Sequence, residues 1–168
     1  MKKLFKWLGI VAGVIVLGIV LFFAGMRFHD GPMGIVSGGP LTTGEPAPAP
    51  ADWSFLEDRS TIEFQTMDPE TSRTTWCAVH NGRLFIVSGY MTTNYGKLWK
   101  QWPHYIKGDD RVILRIDGKL YKQRLERVHE GDIIAPVMKE FGRKYGFNGT
   151  PEAVTSGYAW LYEVKPRS

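Results

Sequence analysis

Arg111-Val-Ile-Leu-Arg-Ile-Asp-Gly-Lys-Leu-Tyr-Lys-Gln-Arg-Leu-Glu-Arg-Val128 decides the fold. Two strand-like runs, Arg111–Ile116 and Lys119–Val128, flank Asp117-Gly118, a two-residue turn that favours positive φ. This is the pattern of two half-buried strands joined in a hairpin. The same signal recurs upstream. Arg73–His80 and Arg83–Val87 flank Asn81-Gly82, and Thr61–Thr66 alternates ahead of them up to Asp68-Pro69. Gly157–Val164 reads as a last strand, with Pro166 as its stop.

Two helices interrupt the strands. Gly96–Tyr105 carries Leu98, Trp99 and Trp102 and meets Pro103, so it is short. Pro136–Tyr145 places Val137, Met138, Phe141 and Tyr145 at helical spacing, with Pro136 in its first turn and Gly146 as its terminator. Six strands in antiparallel hairpins with helical excursions predict a mainly β (α+β) domain closed into a barrel, since closure removes exposed edges.

Outward from this core the chain changes character. Trp7–Met26 is apolar and uncharged throughout. About twenty residues at 1.5 Å each cross a hydrocarbon core of about 30 Å. A cleaved secretory signal is the competing reading. Its apolar region is shorter, and Phe22-Phe23-Ala24 places a bulky residue where a small one is required. The run reads as an uncleaved anchor. Lys2, Lys3 and Lys6 precede it, so the positive-inside rule puts the N-terminus in the cytoplasm and the C-terminal domain outside it, in the periplasm if the source is Gram-negative. The expected division is an anchor over 1–27, a Gly/Pro-rich linker over 28–52 and the barrel domain over 53–168. Gly44–Ala51 reads as an extended spacer, with packing of 26–32 back onto the domain as its alternative.

Charge and composition exclude several classes. There are 21 basic and 17 acidic residues. Lys2, Lys3, Lys6 and Arg27 lie at the front with Asp30 and Glu45, which leaves the domain near +2, its charges interleaved. Nucleic acid is not an expected partner. The lone Cys77 forms no intramolecular disulfide and reads as a small buried hydrophobe. No Cys/His cluster has zinc spacing, and no nucleophile elbow, phosphate loop or His-Glu-x-x-His occurs.

The order hairpin, Trp-Pro helix, hairpin, helix, strand resembles the flavin-binding split β-barrels, which include pyridoxamine-phosphate-oxidase-like proteins and deazaflavin-dependent nitroreductase/quinone reductases. The local match runs from Lys97 to Tyr121 and includes Asp-Asp-Arg-Val at 109–112. The resemblance implies a six-stranded split barrel with two short helices and a cofactor that is FMN or 8-hydroxy-5-deazaflavin. It also implies a homodimer with the cofactor at the subunit interface. Cofactor contacts carried over by position are Arg73, Thr74, Thr75, Ser88, Tyr90, Lys97, Lys100, Trp102 and His104. Lys97 and Lys100, three apart, are expected to face one way. The strongest basic phosphate motif of the pyridoxamine-oxidase branch is absent. The function so implied is a membrane-anchored oxidoreductase acting on quinone-like acceptors. The alternative is a barrel without cofactor that serves as an accessory or scaffold subunit.

Overall fold

A computed structural model describes residues 2–167. In chain order it contains α1 (Lys2–Met26), β1 (Glu45–Ala47), a 3-10 turn at Ser54–Leu56, β2 (Thr61–Met67), β3 (Glu70–His80), β4 (Arg83–Ser88), α2 (Asn94–Trp99), α3 (Trp102–Ile106), β5 (Arg111–Ile116), β6 (Lys119–Val128), α4 (Ile134–Tyr145), α5 (Pro151–Thr155) and β7 (Trp160–Pro166).

The two hairpins form where the turn chemistry puts them. Asn81 and Gly82 sit at φ 50° and 70°, and Asp117 and Gly118 at 50° and 73°, so both turns have positive φ at both central positions. The six long strands run β6-β5-β2-β3-β4-β7, and β7 pairs back onto β6. The result is a closed antiparallel split barrel. It is split because β4 pairs only Cys77–His80 of β3, while Glu70–Trp76 pairs β2 alone among the long strands.

Alternation sorts the side chains. Ile62 and Phe64, Cys77 and Val79, Val112 and Leu114, and Tyr121 and Leu125 point inward and form one core. Trp102 and Ile106 of α3 plug the end where β4 leaves and β5 enters. Trp53 and Leu56 close the other end, where the Trp53 N–H donates to the Gly82 carbonyl at 2.9 Å. A second core lies outside the barrel. There Val137, Met138 and Phe141 of α4 cover Ala78, Phe85 and Leu161. Gly146 ends α4 in the left-handed region, φ 70°.

Three expectations need correction. Gly96–Tyr105 is not one helix. The chain breaks at Lys100-Gln101 and restarts at Trp102, because Pro103 has no N–H for a helix interior but is tolerated in a first turn. With α5 added, the domain holds four short helices rather than two. Residues 28–52 are not a free spacer; the alternative, packing of 26–32 back onto the domain, is what the structure shows, and the contacts continue beyond it. Gly38 exchanges both backbone hydrogen bonds with Ser72 on the β3 edge that β4 leaves open. The Leu41 N–H donates to Gln65 Oε1 at 2.7 Å, Asp30 pairs with Arg115 at 2.9 Å, and β1 adds in parallel to β6. The physical reason is visible in the strands. Gln65 and Ser72 are polar, outward-facing and buried, and the linker supplies the partners that their burial demands.

Side chains 3–25 of α1 pack on nothing else in the chain, and only Met26 is buried. At 24 residues, Lys3–Met26 is long and apolar enough to span a membrane.

Candidate anion-binding site at the barrel mouth

The plugged end of the barrel carries charge where alternation demands apolar residues. Arg73 lies on the inward face of β3 with Cys77 and Val79, directly opposite Phe64 in register. Its guanidinium sits over the Phe64 ring, 5.8 Å from the centroid, and Nη2 donates to Thr71 Oγ1 at 3.0 Å. Its Nε is buried and has no partner. No carboxylate lies within ion-pair distance of it among the described residues. Burial pushes Arg73 down to about 10, and the facing Tyr105 phenol opposes that only in part. Lys100 is half-buried beside it. Burial, and then the positive charge of Arg73, hold the Lys100 ammonium below its ordinary range.

A second group of cations lies across the plug. Trp102 packs edge-to-face on Phe64 at 5.0 Å and tilted on Tyr162 at 5.2 Å. Arg127, inward-facing on β6 with Tyr121 and Leu125, neighbours Tyr162 and stacks on Trp160 at 3.7 Å. Lys107 reaches the same indole at 4.7 Å, and the His104 ring meets it edge-on at 5.2 Å. Arg127 Nε is also buried without a partner, as is Gln123 Nε2. All three orphaned polar atoms among the described residues are therefore donors, and all come from inward-facing strand positions. Leaving a buried donor unmade costs about 1–3 kcal/mol, more for a charged one. Donors left in this way call for an acceptor, and the charge of the two guanidinium groups calls for an anion.

The structure brings together some of the residues carried over by resemblance and separates others. Arg73 and Lys100 converge, Trp102 stands between the two cation groups, and His104 joins the second. Lys97 is exposed on α2, off the face that carries Lys100, because the helix break turns Lys100 inward. Thr74 points outward into a different cleft. Thr75 is buried on the inward face. Ser88 is buried and donates to Met91 Sδ at 3.3 Å. Tyr90, at φ 65°, is exposed and packs on Tyr95 and Tyr158. Tyr105, Lys107, Arg127 and Trp160 escaped the sequence reading. The signal for Arg127 was present, since a charge continues the inward series Tyr121, Gln123, Leu125.

Known proteins give only distant likenesses. No protein-family model matches the chain, and no curated protein does. Among solved structures, the heme storage protein HutZ from Vibrio cholerae is 9% identical with a TM-score of 0.46, over 68% of this chain and 87% of its own. A conserved hypothetical protein from Mycobacterium tuberculosis is 18% identical with a TM-score of 0.46, over 68% and 78%. An FAD-binding protein from Mesorhizobium loti is 10% identical with a TM-score of 0.39, over 68% and 86%.

A cleft of about 730 Å³ lies elsewhere, between Asp30, Thr74, Arg59, Arg115 and Asp117. Its charges are already satisfied. Arg115 pairs with Asp30 at 2.9 Å and Glu63 at 2.6 Å, and Arg59 pairs with Asp117 at 2.6 Å. It has room but no unmet demand, whereas the barrel mouth has the demand.

Proposed function

We propose that the protein is a membrane-tethered redox protein whose barrel mouth holds the phosphate of a flavin-class cofactor, FMN or a deazaflavin. One observation carries this reading. Arg73 and Lys100 are adjacent, uncompensated cations, and Arg73 Nε lacks an acceptor. A phosphate supplies charge and acceptor oxygens together, and guanidinium grips it well. When bound, such a cofactor supplies hydride or electron transfer, while the protein fixes its position. Arg73 and Lys100 neutralise the tail, and Tyr105 borders it. In this reading α1 is the span and the barrel lies outside the cytoplasm, close to lipid-soluble acceptors of quinone type.

The alternative, a cofactor-free accessory barrel, draws on a specific feature. The clefts lined by Arg59, Arg115 and Asp117 and by Ile106–Arg111 include neither Arg73 nor Lys100. A second copy of the chain would have to complete the wall for a ring, which makes a homodimer part of the proposal. The test is an absorbance titration of the detergent-purified full chain with FMN and with the deazaflavin. Binding is expected to weaken in Arg73→Ala and in Lys100→Ala and to persist in Lys97→Ala. Absence of any binding at high micromolar ligand would leave the accessory reading.

A further inference from the structure

The segment that follows α1 is built as a rigid collar with an apolar tip. Gly38 and Gly39 pack backbone to backbone against the chain that leaves the helix. A Cβ on Gly38 would stand 1.7 Å from the Gly31 carbonyl oxygen, and one on Gly39 2.3 Å from that of Arg27. The Gly39 N–H donates to the His29 carbonyl at 2.9 Å. These contacts pinch residues 32–37 into a loop. Within it Met33 and Val36 exchange both backbone hydrogen bonds at 3.0 Å, with Gly34-Ile35 as the tip.

The tip displays what a water-soluble loop hides. Ile35 is 89% exposed and Met33 50%, and Phe28 at the foot of the loop is 90% exposed. No charged residue occurs between Asp30 and Glu45. The backbone closures leave these side chains no way to fold inward. The other face of the collar is fixed to the barrel through Asp30–Arg115, Gly38–Ser72 and Leu41–Gln65.

Position supplies the occupant. Phe28 lies two residues beyond the end of α1. The apolar run Trp7–Met26 is about 30 Å long, the thickness of the hydrocarbon core, so Met26 falls at its boundary. Met26 is itself buried, so no slack chain separates span from barrel. We propose that Phe28, Met33 and Ile35 insert into the headgroup and upper acyl region of the bilayer that α1 spans. They hold the barrel directly on the membrane surface in one orientation. Arg27, beside them and exposed, faces anionic headgroups. The proposal rests on the reading of α1 as a span and goes beyond it, because a span alone allows a freely swinging domain. An uncharged apolar tip on a fixed frame is how a peripheral element gains depth without a second helix.

The test uses the full chain in phosphatidylcholine/phosphatidylglycerol vesicles, with an environment-sensitive fluorophore on Ile35→Cys and, as reference, on Lys139→Cys of the exposed face of α4. Native Cys77 is fully buried, so labelling of the unmutated chain measures the background. Retention after alkaline carbonate washing first establishes the span. With the chain retained, the Ile35 probe is expected to emit to the blue of the Lys139 probe. It should be quenched by lipids spin-labelled near the headgroup and should resist aqueous iodide several-fold better. A retained chain whose Ile35 probe is as open to iodide as the Lys139 probe overturns the collar and leaves the span standing. A chain released by carbonate overturns both.

Discussion

At the scale of single residues, the barrel mouth is defined by what its cations lack. Arg73 occupies a core position, and burial pushes it down to about 10. A base whose folded pKa lies below its unfolded one carries its full penalty at every pH under the folded value. Relief comes only as pH rises from 10 toward the ordinary value. At neutral pH the penalty is complete. Arg73→Met keeps the length and packing of the side chain and removes the buried charge. It is expected to raise stability by about 1–2 kcal/mol, as replacements of buried charge by apolar side chains do. Added phosphate should raise the melting temperature of the wild-type chain and leave that of the variant unmoved. A variant less stable than wild type would assign Arg73 a structural partner. Strand alternation made the position legible in part, because a charge in register with Cys77 and Val79 is out of place on an apolar face. Its isolation was not legible, since a sequence shows which acids exist but not which ones reach.

At the scale of elements, propensity and tertiary demand diverge at the linker. The hairpins and α4 follow from local chemistry alone: positive-φ turns at Asn81-Gly82 and Asp117-Gly118, and a 3-4 apolar spacing ended by Gly146. The linker does not. Gly38-Gly39 reads locally as a turn, yet its function is close approach between two chain segments, which only the folded partner reveals. The linker is held by Asp30, and burial of that carboxyl raises its pKa. Hydrogen bonds from Thr43 and Thr42 and the charge of Arg115 outweigh this effect and hold it well below the ordinary range. A depressed carboxyl contributes in full above its unfolded pKa of about 4 and loses that contribution as pH falls toward the folded value. The collar should therefore loosen in acid before the barrel does. Amide exchange at Thr42 and Thr43, whose N–H groups donate to Asp30, corrected for intrinsic rates, is expected to lose protection below about pH 4. In Asp30→Asn it should be lost at every pH. Unchanged protection of these amides in Asp30→Asn would mean that the backbone bridge at Gly38 holds the collar unaided.

At the scale of the whole molecule, the exposed surface beside the mouth bears on a second copy. The barrel closes its sheet through β6–β7, the linker bridges the free stretch of β3 at Ser72, and β1 extends β6. What remains is the region beside the mouth. The six-residue α2 is too short to be stable by itself, yet it turns Leu98 (83% exposed), Tyr95 and Trp99 to solvent. It also leads directly into Lys100. A small helix with a large uncovered apolar face beside the charged site is where the proposed second copy would dock. The full chain in detergent is expected to behave as a dimer in light scattering. Leu98→Glu buries a charge at that contact, so it should yield monomers with the fold intact by circular dichroism. The same substitution touches none of the cations, yet it should weaken cofactor binding by tenfold or more, about 1.4 kcal/mol, because the wall supplied by the partner leaves with it. A monomeric wild-type chain that binds the cofactor would place the whole site within one barrel. A Leu98→Glu monomer with undiminished affinity would separate association from binding and remove the dimer from the functional reading.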